Sequence, residues 1–141
     1  MTLLLAEDDD DDYLLAKTAF ENAAVSNDLL RVKDGVELID FLLKRGAYAG
    51  RADDGKPLII LLDLNMPRMD GREALKTIKS NDALCGIPVI VMTTSKADED
   101  IVKSYKLGAC SYIRKPVDFG EFVEAAKVFK RYWLELIELP R

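Results

Sequence analysis

Histidine occurs nowhere in the 141 residues, which removes histidine triads, histidine-held metals and histidine acid–base catalysis together. Any phosphohistidine in this protein's chemistry must therefore belong to another protein. Cysteine is scarce: Cys85 and Cys110 are the two present, without motif spacing, and they read as small buried residues of a reducing compartment. Their positions near the amino ends of adjacent expected strands leave a disulfide between them open. No apolar stretch approaches the roughly 20 residues of a membrane span, and Met1-Thr2-Leu3 lacks the charged-then-apolar pattern of a secretory signal. The expectation is a soluble cytoplasmic protein with no membrane contact. Basic runs are missing too. None is longer than Lys130-Arg131 in a chain of net charge −5 and pI near 4.8, which argues against direct nucleic-acid binding.

What is present is one domain's worth of core, 49% hydrophobic with 32% charged residues, expected to span 1–141. Its organising stretch is LIILLDLNMPRMDG, residues 58 to 71. The uninterrupted run Leu58 to Leu62 reads as a strand buried on both faces. Asp63 follows at its carboxyl end, where open α/β sheets place ligands. Met66-Pro67 then breaks the chain, and Asp70-Gly71 supplies a turn whose acid caps a helix over 72–80. Taken alone, Asp63 is equally a turn former.

Residues 2 to 6, TLLLA, form a strand that opens into six consecutive acids, Glu7 to Asp12. A helical pattern leads out of them, so the later acids sit at a helix start, where negative charge is favoured. Calcium-loop spacing fails: counted from Asp8, the sixth and twelfth positions are Tyr13 and Ala19, not Gly and Glu. Strands are expected at 28–33, 88–92 and 110–114, and helices at 36–45, 98–107 and 118–136. A loop at 46–57 reads as a surface elaboration. Strand and helix alternate five times, predicting a doubly wound parallel (βα)5 sheet of the α/β class with helices on both faces.

Four strand tips then carry Glu7 and Asp8, Asp63, Thr93 and Lys115. Three converging carboxylates raise one another's pKa unless a cation joins them. With oxygen donors only, Mg2+ is the natural occupant. A lysine and a hydroxyl beside it suggest a phosphoryl anion paired by Lys115 and hydrogen-bonded by Thr93, with Asp63 as the nucleophile.

This constellation resembles the receiver domain of bacterial two-component response regulators along essentially the whole chain. The ordered occurrence of LLLAEDD, LLDLNMPRMDG, PVIVMTTS and YIRKP carries the resemblance. It implies the flavodoxin-like strand order 2-1-3-4-5, phosphoacceptance at Asp63 from a sensor histidine kinase, and Mg2+ held by Asp8 directly, Glu7 through water, Asp63, and the Asn65 backbone carbonyl. It also implies a switch through Thr93 and Tyr112 that remodels the face of the 98–107 helix, the fifth strand and the last helix. The Lys115-Pro116 bond would be cis. Departures from the family pattern are Glu7 in place of Asp, Thr94 where a smaller residue is common, and Asn65, which lacks a carboxylate to orient water and predicts slow self-dephosphorylation.

Other readings stand beside these. Tyr112 could be an ordinary strand aromatic, and Asp9 to Asp12 a solvated turn, with Asp9 as a further metal ligand the open alternative. In the last helix the apolar arc through Phe119, Phe122, Val123, Ala126, Phe129, Trp133 and Ile137 exceeds half the circumference at about 100° per residue. A partner surface of Phe122, Phe129, Tyr132, Trp133 and Leu136 is expected; burial by the chain's own tail is the alternative. The tail FKRYWLELIELPR, the 46–57 loop and the 95–119 segment resemble stand-alone regulators serving phytochrome-type histidine kinases, a dimeric group. With the chain ending at Arg141, no DNA-binding output domain is expected. Rival functions are a phosphorylation-independent adaptor and a haloacid-dehalogenase-like phosphohydrolase, which wants a second acid where Asn65 stands.

Overall fold

The computed structural model describes residues 2–25, 27–51, 58–94, 101, 103, 105–116 and 118–136. Among these, five short segments become strands: β1 (Thr2–Ala6), β2 (Asp28–Val32), β3 (Leu58–Leu62), β4 (Val89–Thr93) and β5 (Ser111–Arg114). They form one parallel sheet in the order β2-β1-β3-β4-β5, the arrangement the resemblance implied. The regular helices are α1 (Asp10–Asn22), α2 (Gly35–Leu43), α3 (Gly71–Ser80) and α4 (Phe119–Phe129). The expected helix at 98–107 lies largely outside the described residues; 101, 103, 105 and 106 are helical. Residues 52–57 of the expected loop also lie outside them, while Gly46–Tyr48 form a 3-10 turn.

Strand alternation divides the core in two. Leu4, Ala6, Ile60, Leu62, Val89 and Val91 face α2 and α3, meeting Leu38, Leu42, Leu75 and Ile78. Leu3, Leu5, Ile59, Leu61, Ile90 and Met92 face α1 and α4, meeting Ala16, Phe20, Phe122 and Phe129. Each fully buried Leu or Ile contributes about 1.5–3 kcal/mol, so β1 and β3 are held from both sides. An aspartate caps each of α1 to α4: Asp9, Asp34, Asp70 and Asp118 accept from the backbone N–H three residues on, at 2.8 to 3.0 Å. Each cap satisfies an N–H that has no partner within the helix.

Four expectations are corrected. Phe122 and Phe129, assigned to a partner surface, are buried in the chain's own core, because α4 packs on both the sheet and α1; the Phe129 ring meets Phe20 edge-on at 5.6 Å. The last helix is not uniform to residue 136: after Phe129 the backbone widens into a π-helical segment, Lys130–Leu136, in which a 100° periodicity no longer assigns faces. Tyr132 is exposed there, Trp133 is half-buried against it at 5.3 Å, and the Leu136 side chain lies outside the described residues. Cys85 and Cys110 are exposed free thiols, since each sits in the connection before a strand rather than in the pleat. No described peptide bond is cis, so Lys115-Pro116 is trans, the form an X-Pro bond favours by about 0.5–1 kcal/mol.

Candidate functional site

Sheet register builds the site. Ala6 lies beside Leu62, so Glu7 and Asp63 leave adjacent strands together; the Asp63 N–H donates to Ala6 O at 3.1 Å and the Glu7 N–H to Val32 O at 3.0 Å. Asp8 follows at the rim. One carboxylate oxygen from each of Glu7, Asp8 and Asp63 falls within 4.8 Å of the others. Glu7 and Asp63 are buried while Asp8 is exposed, leaving the cluster open to solvent on one side.

The second half arrives from β4 and β5. Thr93 pairs with Arg114, so Lys115 emerges next to Thr93, its N–H donating to Thr93 O at 2.7 Å. The Lys115 ammonium donates to Glu7 Oε1, to Asp12 Oδ2 at 2.9 Å and to Asp63 Oδ2 at 3.1 Å, which commits all three of its donors. Burial works against its charge, but the bonds to Glu7 and Asp12 and the charge of Asp63 outweigh it, and its pKa is held above the ordinary lysine value. Burial pushes the Glu7 carboxyl up to about 7, against the Lys115 hydrogen bond that lowers it, with Asp63 adding to the rise. Crowded acids around one ammonium are still short of positive charge.

Hydrogen bonds link Asp63, Asn65, Thr93 and Lys115. Asp63 Oδ1 accepts the Asn65 N–H at 3.0 Å, and the Asn65 side-chain amide donates to Thr93 Oγ1 at 3.4 Å. Thr93 is fully buried. Tyr112 is half-buried on the α2–α3 side of β5, its backbone N–H donating to the Tyr105 hydroxyl at 3.2 Å.

Three supporting groups escaped the sequence reading. Asp12 holds Lys115. Arg31, on β2, donates from Nε to the Glu7 carbonyl at 3.0 Å, pairs with Asp10 at 2.7 Å and lies 4.6 Å over the Tyr13 ring. Arg68 pairs with Asp34 at 2.8 Å from a left-handed backbone of φ 64°, tying the loop after β3 to the start of α2. Gly35 is required beside it: a Cβ there would lie 2.1 Å from Met69 O. Such contacts across 24 to 103 residues of sequence leave no periodic signal.

The donor set is all oxygen, with no imidazole or thiolate among the converging atoms, and fits a hard divalent ion of the Mg2+ or Mn2+ kind. An anion entering beside such an ion would find Lys115 and Thr93 at hand.

Comparison with known proteins agrees with this chemistry. The model of the response regulator receiver domain matches residues 3–127. Response regulator Rcp1 of Synechocystis sp. is 35% identical over 138 residues, 98% of this chain and 92% of that protein. The crystal structure of its Mn2+-bound form matches at a TM-score of 0.88 and 34% identity, covering 99% of each chain. The phosphorylated cyanobacterial phytochrome response regulator RcpA matches at 0.89 and 37% identity, covering 99% of this chain and 98% of that one. Response regulator RPA3017, in red light signaling of R. palustris, matches at 0.92 and 36% identity with the same coverage. A family model spanning most of the chain, and relatives more than a third identical along nearly all of it, place the pocket in a known lineage: this chain belongs to the response regulator receiver domain family.

Proposed function

We propose that Asp63 accepts a phosphoryl group from the phosphohistidine of a sensor histidine kinase, and that Glu7, Asp8 and Asp63, with the Asn65 backbone carbonyl, hold Mg2+ for that transfer. The observation that carries the reading is the Asp63 carboxylate, buried at the tip of β3 with Lys115 at 3.1 Å and Thr93 linked to it through Asn65. A carboxylate oxygen attacks phosphorus in line; the P–N bond to the kinase imidazole breaks as the P–O bond forms, and the departing imidazole takes a proton. When bound, the divalent ion offsets charge on the phosphoryl oxygens. Lys115 pairs one of those oxygens, and the Thr93 hydroxyl donates to another by turning from Asn65. Movement at Thr93 and Tyr112 then alters the outer face of β5 for a partner.

The protein acts in this reading as a switch and not as a turnover catalyst. A phosphohydrolase is disfavoured because the Asn65 amide cannot serve as an acid. The kinase is of the phytochrome class, the class in RcpA's description, and the exposed thiols suit a reducing cytoplasm. Among the described residues no helix is long and apolar enough to cross a membrane. A second copy of this chain docks through Tyr132 and Trp133; sedimentation velocity of Tyr132→Ala, expected to shift towards the monomer, reads that part.

The test is labelling with radioactive acetyl phosphate and Mg2+. The wild type takes up label, Asp63→Asn takes up less than about one hundredth as much, and EDTA abolishes it. An unlabelled wild type with normal folding would favour the phosphorylation-independent adaptor. Asn65 further predicts a phosphoprotein lifetime well beyond seconds, read by loss of label.

A further inference from the structure

Asp12 stands outside the three acids whose oxygens converge, yet its Oδ2 lies 2.9 Å from the Lys115 ammonium, nearer than that of Asp63 at 3.1 Å. Its side chain is 40% exposed, against 3% for Glu7 and 10% for Asp63, so it meets the ammonium from the mouth of the pocket. The residue is fixed from behind. Its own N–H is held by Asp9 Oδ1 at 2.9 Å, in the first turn of a helix anchored to the core through Ala16, Ala19 and Phe20.

We propose that Asp12 is a positioning residue whose carboxylate keeps the Lys115 ammonium directed across the mouth of the pocket, ready for the phosphoryl group. This rests on the reading of Asp63 as phosphoacceptor. Of the three carboxylates that Lys115 bonds, Glu7 and Asp63 are also the ones that turn to a divalent ion. Only Asp12 is outside that competition. The Lys115 side chain is 9% exposed, and the flexible end of its stem still needs an acceptor to fix which way the ammonium points. One retained bond leaves two N–H groups free for phosphoryl oxygens.

Charge alone makes the opposite prediction. Asp12 is an anion beside a site that admits an anion, so neutralising it should speed the reaction if it has no other role. The sign of the effect therefore decides.

The experiment compares wild type, Asp12→Asn and Asp12→Glu for the rate of acetyl phosphate labelling at saturating Mg2+, and for Mg2+ affinity by titration calorimetry. Asp12→Asn is expected to label about tenfold more slowly, less than the roughly hundredfold that a 1 Å misplacement of a reacting group can cost. Its Mg2+ Kd should change by less than the labelling rate does, because Asp12 stands outside the three converging acids, and Asp12→Glu should recover most of the rate. Labelling of Asp12→Asn as fast as or faster than wild type overturns the proposal. So does slowing matched by an equal loss of Mg2+ affinity, or no recovery in Asp12→Glu. Failure of the Asp63 reading looks different: an unlabelled wild type, or a labelled Asp63→Asn.

Discussion

The two halves of the pocket rest on unlike supports. Glu7 and Asp63 leave β1 and β3, strands buried at four of their five positions and paired on both edges. Lys115 leaves β5, a strand that among the described residues pairs with β4 alone and in which no residue is fully buried. Packing sets the acids; hydrogen bonds and ion pairs set the cation. Rearrangement of a packed core is discontinuous and costly, whereas a half-exposed edge shifts by exchanging polar partners. The difference teaches that β1, β3 and β4, which is buried at all five positions, are the fixed frame, and that the β5 edge bearing Lys115 is the part with more freedom to shift.

The largest expected effect comes from breaking the cation half. Lys115→Ala leaves buried acids facing one another, and urea unfolding in EDTA should show a loss of about 3–5 kcal/mol. Mg2+ should restore much of it; restoration by none would mean that the acids are not the ion's site. Next is the frame. Gly35→Ala drives a Cβ into Met69 O, at a cost of about 1–3 kcal/mol, and by shifting the loop that carries Asn65 it should weaken Mg2+ binding in calorimetry.

Acidity gives a smaller, graded effect. The folded-state pKa of Glu7 is raised from 4.5 to about 7, so between these values the folded chain keeps a proton that the unfolded chain has lost. Its contribution to stability is complete below pH 4.5 and disappears as pH rises through about 7. The unfolding midpoint in EDTA should fall over that window, and the gain on adding Mg2+ should be greater at pH 8 than at pH 5. A flat profile would mean that Lys115 alone balances the acids. Least affected is Tyr112→Ala, at a half-exposed edge position, expected to cost about 1 kcal/mol or less by the same urea measurement.

Legibility in the sequence divides along the same line. Strands packed on both faces announce themselves: Leu58–Leu62 is a strand over the residues its apolar run marks, and the acids at the tips follow from strand ends. Asp70 as a helix cap is equally local. The edge and the far ends obeyed tertiary rules instead. Phe122 and Phe129 read as surplus apolar area until α1 is known to lie against them. Nothing among five successive aspartates distinguishes Asp12, because the turn of α1 and a lysine 103 residues away select it. Arg68 in a left-handed backbone is unusual for a non-glycine residue, and its pairing with Asp34, 34 residues away, could not be read locally.

Lys115 has one more consequence. By bonding three carboxylates from within the polymer, it supplies a built-in counter-charge, so maturation of the fold need not wait on an external metal supply. Synthesis and ion loading then need not coincide: on the proposed reading a divalent ion adds stability to a fold that has already formed, rather than being the condition for forming it.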